Sequence, residues 1–343
     1  WYRRAAEQYD SDAQNNLGNM YRNGLGVEQN YIEALNWYRK AADQGNVYAQ
    51  SNLGDMCYNG YGVEQNYAEA VGWYKKAADQ GNSYAQYRLG YIYANGSGVE
   101  QNDAEAVKWW RKSADHGNSN AQVSLGYSYA SGHGVEQNDK EAVKWYRKAA
   151  DQGNAYGQGN LGDVYFTGHG VEQNYTEAAK WYRKAAEQGI TTAQNSLGKM
   201  YNNGLGLEQN YTEAVRWYRK AADHGDIYAQ FNLGLAYYYG QGVEQNYAEA
   251  AKLFRQAATQ GVAVAQTDLG WMYQYGLGTE QNYVESVRWY KKAVAEGDVT
   301  AMLNLGVMYY NGFGVEQNYA EAFKLYKQAA DRGNAKAQNN LGW

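Results

Sequence analysis

A Leu-Gly dipeptide recurs at ten positions spaced by 36 residues, from Leu17 to Leu341, without one insertion or deletion. The tripeptide Glu-Gln-Asn recurs nine times in the same register, from Glu28 to Glu316, and tryptophan recurs at a third phase. A fixed period of this length is typical of tandem arrays in which one supersecondary unit stacks on the next. The chain is therefore predicted to be one repeat array rather than a set of unrelated domains.

Each repeat is predicted to contain two helices joined by a turn with two glycines. In the second repeat, helix A covers residues 48–59 and helix B runs from a cap at Asn66 to about residue 80. Asn66 with Glu69 three residues later is a variant of the capping box. Gly81 stands where helices end in a left-handed residue. The same signals are present in all nine copies, which makes the predicted boundaries consistent along the chain.

One arc of helix A stays nearly constant from copy to copy. At about 100° per residue, these positions fall on one side of the helix and predict its packed face. In the second repeat they are Ala49, Gln50, Leu53, Gly54, Met56 and Cys57. The buried stripe predicted on helix B comprises Ala70, Val71, Trp73, Tyr74, Ala77 and Ala78. One pair of helices cannot cover both faces, so the repeats must stack.

The repeat resembles a known family. The pattern Asn-Leu-Gly-x-Met-Tyr-x-Asn-Gly-x-Gly-Val, followed by Glu-Ala-x-x-Trp-Tyr-Arg-Lys-Ala-Ala-x-Gln-Gly-Asn, is similar to the Sel-1-like repeat (SLR), a relative of the tetratricopeptide repeat. This resemblance implies an all-α fold, a right-handed α/α superhelical solenoid of tandem 36-residue two-helix repeats. The chain departs from tetratricopeptide repeats proper in its longer period and its lack of proline.

The array is expected to span residues 1–343 as a single domain of about nine repeats, with partial units at 1–10 and 335–343. Because the chain begins and stops inside a repeat, both ends are expected to expose stacking surface. End-to-end self-association of this fragment is therefore one expectation. A constant monomer mass over a concentration series would contradict it.

Positions that vary between copies on a common face are not constrained by packing within the scaffold. On helix A of the second repeat they are Tyr48, Ser51, Asn52, Asp55, Tyr58 and Asn59. In related solenoids this helix lines the concave groove. The first repeats are mostly polar there, whereas three consecutive later repeats offer an apolar and aromatic cluster. It comprises Phe231, Leu235, Tyr238, Tyr239, Trp271, Tyr275, Leu303, Val307 and Tyr310.

These nine residues are predicted to bind a protein partner, since Trp and Tyr are typical interface anchors. The alternative is that they form extra core or rest against another part of a longer protein. A row of asparagines borders the same groove, at Asn16, Asn52, Asn160, Asn232 and Asn304. These side chains would hold an extended peptide by its backbone or hydrogen-bond to loops of the next repeat.

The sequence contains no residue pattern that points to an enzyme active site, and no cofactor or metal is expected. His133 and His169 occupy the same loop slot of adjacent repeats, too far apart to share a zinc ion, whose ligands lie about 2 Å away. Cys57 is predicted to be a small buried hydrophobe. The net charge of −5 and pI near 5.5 give no global attraction to nucleic acid. No segment approaches the roughly 18 apolar residues of a membrane helix.

The most favoured function is that of a non-enzymatic scaffold or adaptor that binds a protein partner in the groove of the later repeats. A bacterial toxin-immunity protein or a complex-assembly factor is one form of this role, because the family resemblance implies such roles. The alternative is a glycan- or cell-wall-binding module that stacks sugar rings on the aromatic groove. The compartment stays open between bacterial cytoplasm and periplasm or secretion.

Overall fold

The computed structural model describes residues 1–341, and within them it contains twenty α-helices and no strand. Even-numbered helices are the A helices of the repeats, and odd-numbered ones are the B helices. They are α1 (Tyr2–Glu7), α2 (Ser11–Asn23), α3 (Tyr31–Asp43), α4 (Val47–Asn59), α5 (Tyr67–Asp79), α6 (Ser83–Asn95), α7 (Asp103–Asp115), α8 (Ser119–Ser131), α9 (Asp139–Asp151), α10 (Ala155–Thr167), α11 (Tyr175–Glu187), α12 (Thr191–Asn203), α13 (Tyr211–Asp223), α14 (Ile227–Tyr239), α15 (Tyr247–Thr259), α16 (Ala263–Tyr275), α17 (Tyr283–Ala295), α18 (Val299–Asn311), α19 (Tyr319–Asp331) and α20 (Ala335–Leu341).

The predicted helices are confirmed to within about one residue, as α4 and α5 show for the second repeat. Two compact units are distinguished, residues 1–174 with α1–α10 and residues 175–343 with α11–α20. Within each unit every helix packs against the next one in the chain, which is the arrangement of an α-solenoid. The expectation of a single array over all 343 residues stays a prediction, and its last residues, 342 and 343, lie outside the described part.

The cap of helix B is one-sided. The Asn66 side chain accepts a hydrogen bond from the Glu69 backbone N–H at 3.0 Å, as the sequence predicts. The Asn66 backbone N–H donates to the carbonyl of Cys57 at 2.9 Å instead of to the Glu69 carboxylate. That carboxylate accepts from the indole N–H of Trp73 at 3.4 Å. Asn66 thus ties the start of α5 back to α4, and the reciprocal half of a capping box is replaced.

The conformation and contacts of the turn between the two helices require its two glycines. Gly60 ends α4 in the left-handed conformation with φ of 74°. Gly62 also has a positive φ, and a Cβ atom there would lie 2.6 Å from the carbonyl carbon of Tyr31. The turn of one repeat therefore rests directly on the first residue of helix B in the preceding repeat. Only glycine permits that approach, so this residue serves stacking as well as turning.

The predicted packed arc of α4 is confirmed, because all six of its residues are buried. Tyr74 of α5 is fully buried as well, while Trp73 is only partly covered and lies under the ammonium of Lys76, 4.0 Å from the ring centroid. Two residues assigned to the open arc are not open. Ser51 and Asp55 are buried, because the neighbouring helices reach around this edge of α4.

The glutamine of helix A, replaced in one copy by Met302, links three successive helices in the first unit. The Gln50 amide donates to the carbonyl of Ala42 at the end of α3, at 3.5 Å. Its oxygen accepts from the amide of Gln80, just after α5, at 2.7 Å. A buried amide must find partners, and here both come from adjoining B helices. This explains why a polar residue is retained on the packed face.

Candidate functional site

The nine residues predicted to bind a partner lie on α14, α16 and α18, all within the second unit. The structure divides them into an exposed layer and a supporting layer. Four aromatic side chains are exposed by 39–62%, and we call them the aromatic patch: Tyr239, Trp271, Tyr275 and Tyr310. The supporting layer is partly or fully covered: Phe231, Leu235, Tyr238, Leu303 and Val307.

The supporting layer belongs to the hydrophobic core, as the alternative interpretation expected for the whole set. Phe231 packs against Phe254 with the rings tilted and their centroids 5.5 Å apart, in the cluster that joins α14 to α15 and α16. Leu303 is only 8% exposed and packs in the cluster of α17–α20, against which Val307 also lies. The expected exposure is therefore wrong for Leu303, since the adjoining helices close over it. These residues hold the patch in place from below.

Trp271 and Tyr275 form the centre of the patch, one helical turn apart on α16. Their ring centroids lie 4.3 Å apart at an interplanar angle of 46°. On α14, Tyr239 packs edge-on against Tyr238 at 4.9 Å. Aromatic pairs at these separations are favourable and restrict each other's movement. The patch thus presents rings that are already oriented in the free protein.

Trp271 borders three cavities, two of which contrast in their lining. The first, of about 250 Å³, is named the Asp268 cavity and is lined by Leu235, Tyr238, Tyr239, Phe254, Asp268 and Trp271. The second, of about 490 Å³, is named the carboxamide cavity because four side-chain amides take part in its lining. Its walls include Trp271, Gln274, Tyr275, Leu303, Asn304, Val307, Asn339 and Asn340. Trp271 therefore borders two recesses of different chemistry.

Asp268 is a functional candidate that the sequence analysis missed. It lies on α16 one turn before Trp271, and it has no hydrogen bond or ion pair within residues 1–341. Burial, with a smaller contribution from the charge of Asp298, raises the pKa of its carboxyl from 3.8 to about 6. The signal was available in the repeat register, because Asp268 stands where Asn232 and Asn304 stand in the adjoining repeats.

The asparagine row has a structural role at two of its positions. The Asn52 amide donates to the side-chain oxygen of Asn15 at 2.9 Å, and Asn232 donates to Asn195 at 2.9 Å. These bonds join successive A helices inside each unit. The expectation of bonds to loops of the next repeat is therefore wrong for Asn52 and Asn232, because the facing A helix lies nearer.

The residues with potential metal or redox chemistry are scattered. Among residues 1–341, no three His, Cys, Asp or Glu side chains cluster as metal ligands. His133 hydrogen-bonds to Ser131 at 2.7 Å, and His169 lines a separate cavity of about 380 Å³ in the first unit. Cys57 is buried as predicted, and desolvation raises the pKa of its thiol to about 11. No helix in the described range is long and apolar enough to cross a membrane.

The repeats of this chain are similar to those of a known protein family, with the same 36-residue boundaries. The sequence model of the Sel1 repeat matches residues 1–10 and nine consecutive 36-residue segments that cover residues 11–334. The chain belongs to the Sel1 repeat family. Proteins built from Sel1 repeats are helical scaffolds suited to protein–protein interaction, and they are generally non-catalytic. No curated protein matches this Sel1 repeat chain.

Three of the solved structures that are similar to this chain come from bacteria. A protective antigen present in uropathogenic Escherichia coli strains, which displays an SLR fold, is 37% identical over 100% of this chain and 81% of its own, with a TM-score of 0.56. A Sel1 repeat protein from Oxalobacter formigenes is 31% identical over 90% of both chains, with a TM-score of 0.66. An immunity protein from Pseudomonas aeruginosa is 22% identical over 62% of this chain and 81% of its own, with a TM-score of 0.39, too low to support an argument.

Proposed function

We propose that this Sel1 repeat chain is a non-enzymatic scaffold that binds a protein partner through the aromatic patch of α14, α16 and α18. The observation that carries the proposal is the exposure of four large aromatic side chains on three consecutive A helices. Rings of this size lose favourable burial when they face water, at about 25 cal/mol per Å² of apolar surface. A protein surface that covers them recovers that free energy.

The construction of the patch supports binding rather than accidental exposure. The exposed Trp271 and Tyr275 rings pack on each other, and the supporting layer beneath them belongs to the core. Binding to pre-oriented side chains loses little conformational entropy. Trp and Tyr anchored beside cavities are the usual form of an interface hot spot. A complex-assembly factor or a toxin-immunity protein would both use such a surface to form a stoichiometric complex.

A glycan ligand is the second candidate function. The observation in its favour is the carboxamide cavity, where Trp271 and Tyr275 lie beside the amides of Gln274, Asn304 and Asn339. Sugar rings stack on aromatic faces, and amides donate and accept hydrogen bonds with hydroxyl groups. In this cavity both kinds of group meet on α16 and α18.

The test compares captures from a lysate of the source organism by the wild type and a Trp271→Ala, Tyr275→Ala, Tyr310→Ala variant. A matched control carries Tyr91→Ala and Tyr127→Ala, two exposed tyrosines in the Trp271 register of the first unit. We expect a stoichiometric protein partner that the control retains and the patch variant loses. Circular dichroism checks that both variants stay helical.

Equal capture by the wild type and the patch variant would contradict the proposal. Release of the bound material by soluble oligosaccharide, with insensitivity to high salt, would favour the glycan function instead.

A further inference from the structure

Asp268 is the one acidic residue in its register of helix A. The ten equivalent positions comprise six asparagines, two serines, Arg88 and Asp268. The uncharged members are compatible with hydrogen bonds between neighbouring A helices, as Asn232 shows with Asn195. A charge at this place needs a counter-charge or a ligand, because a partly buried ion without either is costly.

Arg88 shows how the fold compensates a charge in this register. Its guanidinium lies over the Tyr58 ring, 4.5 Å from the centroid, and interacts electrostatically with the buried Asp55. Asp55 also accepts hydrogen bonds from the hydroxyls of Tyr74 and Tyr84, at 2.7 and 2.8 Å. The first unit thus supplies both signs of charge and the aromatic rings around them.

The second unit supplies the rings around Asp268 but, within residues 1–341, no cation that forms an ion pair with it. The charged groups that face this part of α16 are Asp298, of the same sign, and Lys336 of α20. Lys336 borders a cavity of about 370 Å³ together with Asp268, yet the two form no ion pair. Asp268 therefore lacks the counter-charge that Asp55 gives to Arg88.

The space beside Asp268 suits a cationic side chain. The Asp268 cavity measures about 250 Å³, and Tyr238, Tyr239 and Trp271 form part of its walls. Aromatic faces attract an ammonium or guanidinium group, and they also pack against the methylene stem of lysine or arginine. The Asp268 carboxylate in the lining completes the chemistry that selects a positive charge over a neutral group.

We propose that the Asp268 cavity binds a lysine or arginine side chain of the protein partner, with its charge between the Asp268 carboxylate and the Trp271 ring. This inference rests on the proposed function, because the same α16 residues form the centre of the aromatic patch. It adds that the partner presents a basic residue to this point. The basic side chain supplies to Asp268 the counter-charge that Asp55 gives to Arg88 in the first unit.

The direct test observes Trp271 in protein labelled with 5-fluorotryptophan. The ¹⁹F resonance of Trp271 is assigned by its loss in Trp271→Phe. The probes are Nα-acetyl-lysine methylamide and its uncharged Nε-acetylated counterpart. We expect a saturable shift with the charged probe, at least a tenfold weaker response in Asp268→Asn, and no response to the uncharged probe. Asp223→Asn, at the exposed end of α13, changes the net charge equally and should behave as wild type.

Two outcomes would overturn the inference on this test. One is an equal response to the charged and uncharged probes, and the other is an unchanged response in Asp268→Asn. A Trp271 shift with neutral oligosaccharide and none with the lysine probe would assign the cavity to a glycan.

A second measurement separates this inference from the proposed function. The captured partner is titrated against wild type, Asp268→Asn and Asp223→Asn. We expect Asp268→Asn to weaken binding tenfold or more. If the patch variant loses the partner and Asp268→Asn does not, the basic-residue inference is wrong while the proposed function stands. If the patch variant keeps the partner, the proposed function fails, and the lysine probe still tests the cavity by itself.

Discussion

Gly54 lies so close to the Tyr74 ring that a Cβ atom at the glycine would sit 2.6 Å from the ring carbons Cδ1 and Cε1. The same contact, a glycine of α-helix A against an aromatic ring twenty residues later, recurs in both units. Gly18 faces Tyr38, and Gly270 faces Tyr290. This pairing brings the two helices of a repeat together and accounts for the invariant Leu-Gly dipeptide.

Replacement of Gly54 by alanine should therefore destabilise the protein, although alanine favours helix. Overpacking of a rigid buried ring costs about 1–3 kcal/mol. Gly72 provides the matched control, because it lies inside α5 with open space around its Cα. Gly72→Ala should stabilise by about 0.5–1 kcal/mol through helix propensity alone. Urea unfolding followed by circular dichroism measures both, and a stabilising Gly54→Ala would contradict the packing described above.

The cap of helix B gives a second prediction. Asn66→Ala should cost about 1 kcal/mol, because the Glu69 backbone N–H loses its acceptor. Glu69→Gln should cost less than about 0.5 kcal/mol, since its carboxylate makes no reciprocal bond to the backbone of Asn66. Unfolding midpoints of the two variants separate a one-sided cap from a full capping box, in which both changes would cost similar amounts.

The hydrogen bonds to the Asp55 carboxylate give a third prediction. Tyr74→Phe removes one hydrogen bond to Asp55 and should cost about 1 kcal/mol. Asp55→Ala should cost about 3 kcal/mol or more, because it leaves two tyrosine hydroxyls without their acceptor and the Arg22 charge without its ion-pair partner. Chemical unfolding at neutral pH compares the two. Equal effects would show that the carboxylate holds no network together.

The effect of Asp268 ionisation on stability gives a fourth prediction. Burial raises the pKa of its carboxyl from 3.8 to about 6, so the folded state favours the protonated form. Ionisation of Asp268 therefore opposes folding increasingly as pH rises from about 4 through about 6. Asp268→Asn should stabilise the protein above pH 6.5 by up to about 3 kcal/mol, at about 1.4 kcal/mol per unit of pKa, and by little below pH 4. Thermal unfolding of both proteins between pH 4 and 7.5 measures this.

A gain that is the same at every pH would show that the raised pKa of Asp268 is not the cause. The other titratable groups that face Asp268 also bear on the interpretation of this pH dependence. Asp298 carries the same sign, while the pKa of Tyr238 and of Tyr290 lies above 10 because of burial, so neither tyrosine titrates in this range.

The sequence predicted the helices of the array closely and the candidate site only in outline. Tyr239, Trp271, Tyr275 and Tyr310 were assigned to an open arc and are exposed. Leu303 was assigned to the same arc and is buried, as is Asp55 in the first unit. A helical wheel divides a helix into a packed and an open side, but it does not describe how far a neighbouring helix reaches around the edge between them.

Helix ends, turns and the packed faces followed from the sequence alone, because they depend on residues close together in the chain. Asn66 caps a helix that begins at the next residue, and Gly60 ends one by its own conformation. The tertiary structure decided which polar groups find a hydrogen-bond or charge partner. Asn232 finds its acceptor 37 residues away, whereas Asp268 finds no counter-charge in the described residues. Such partners are set by the stacking of one repeat on the next, and stacking brings together side chains that lie far apart in the sequence.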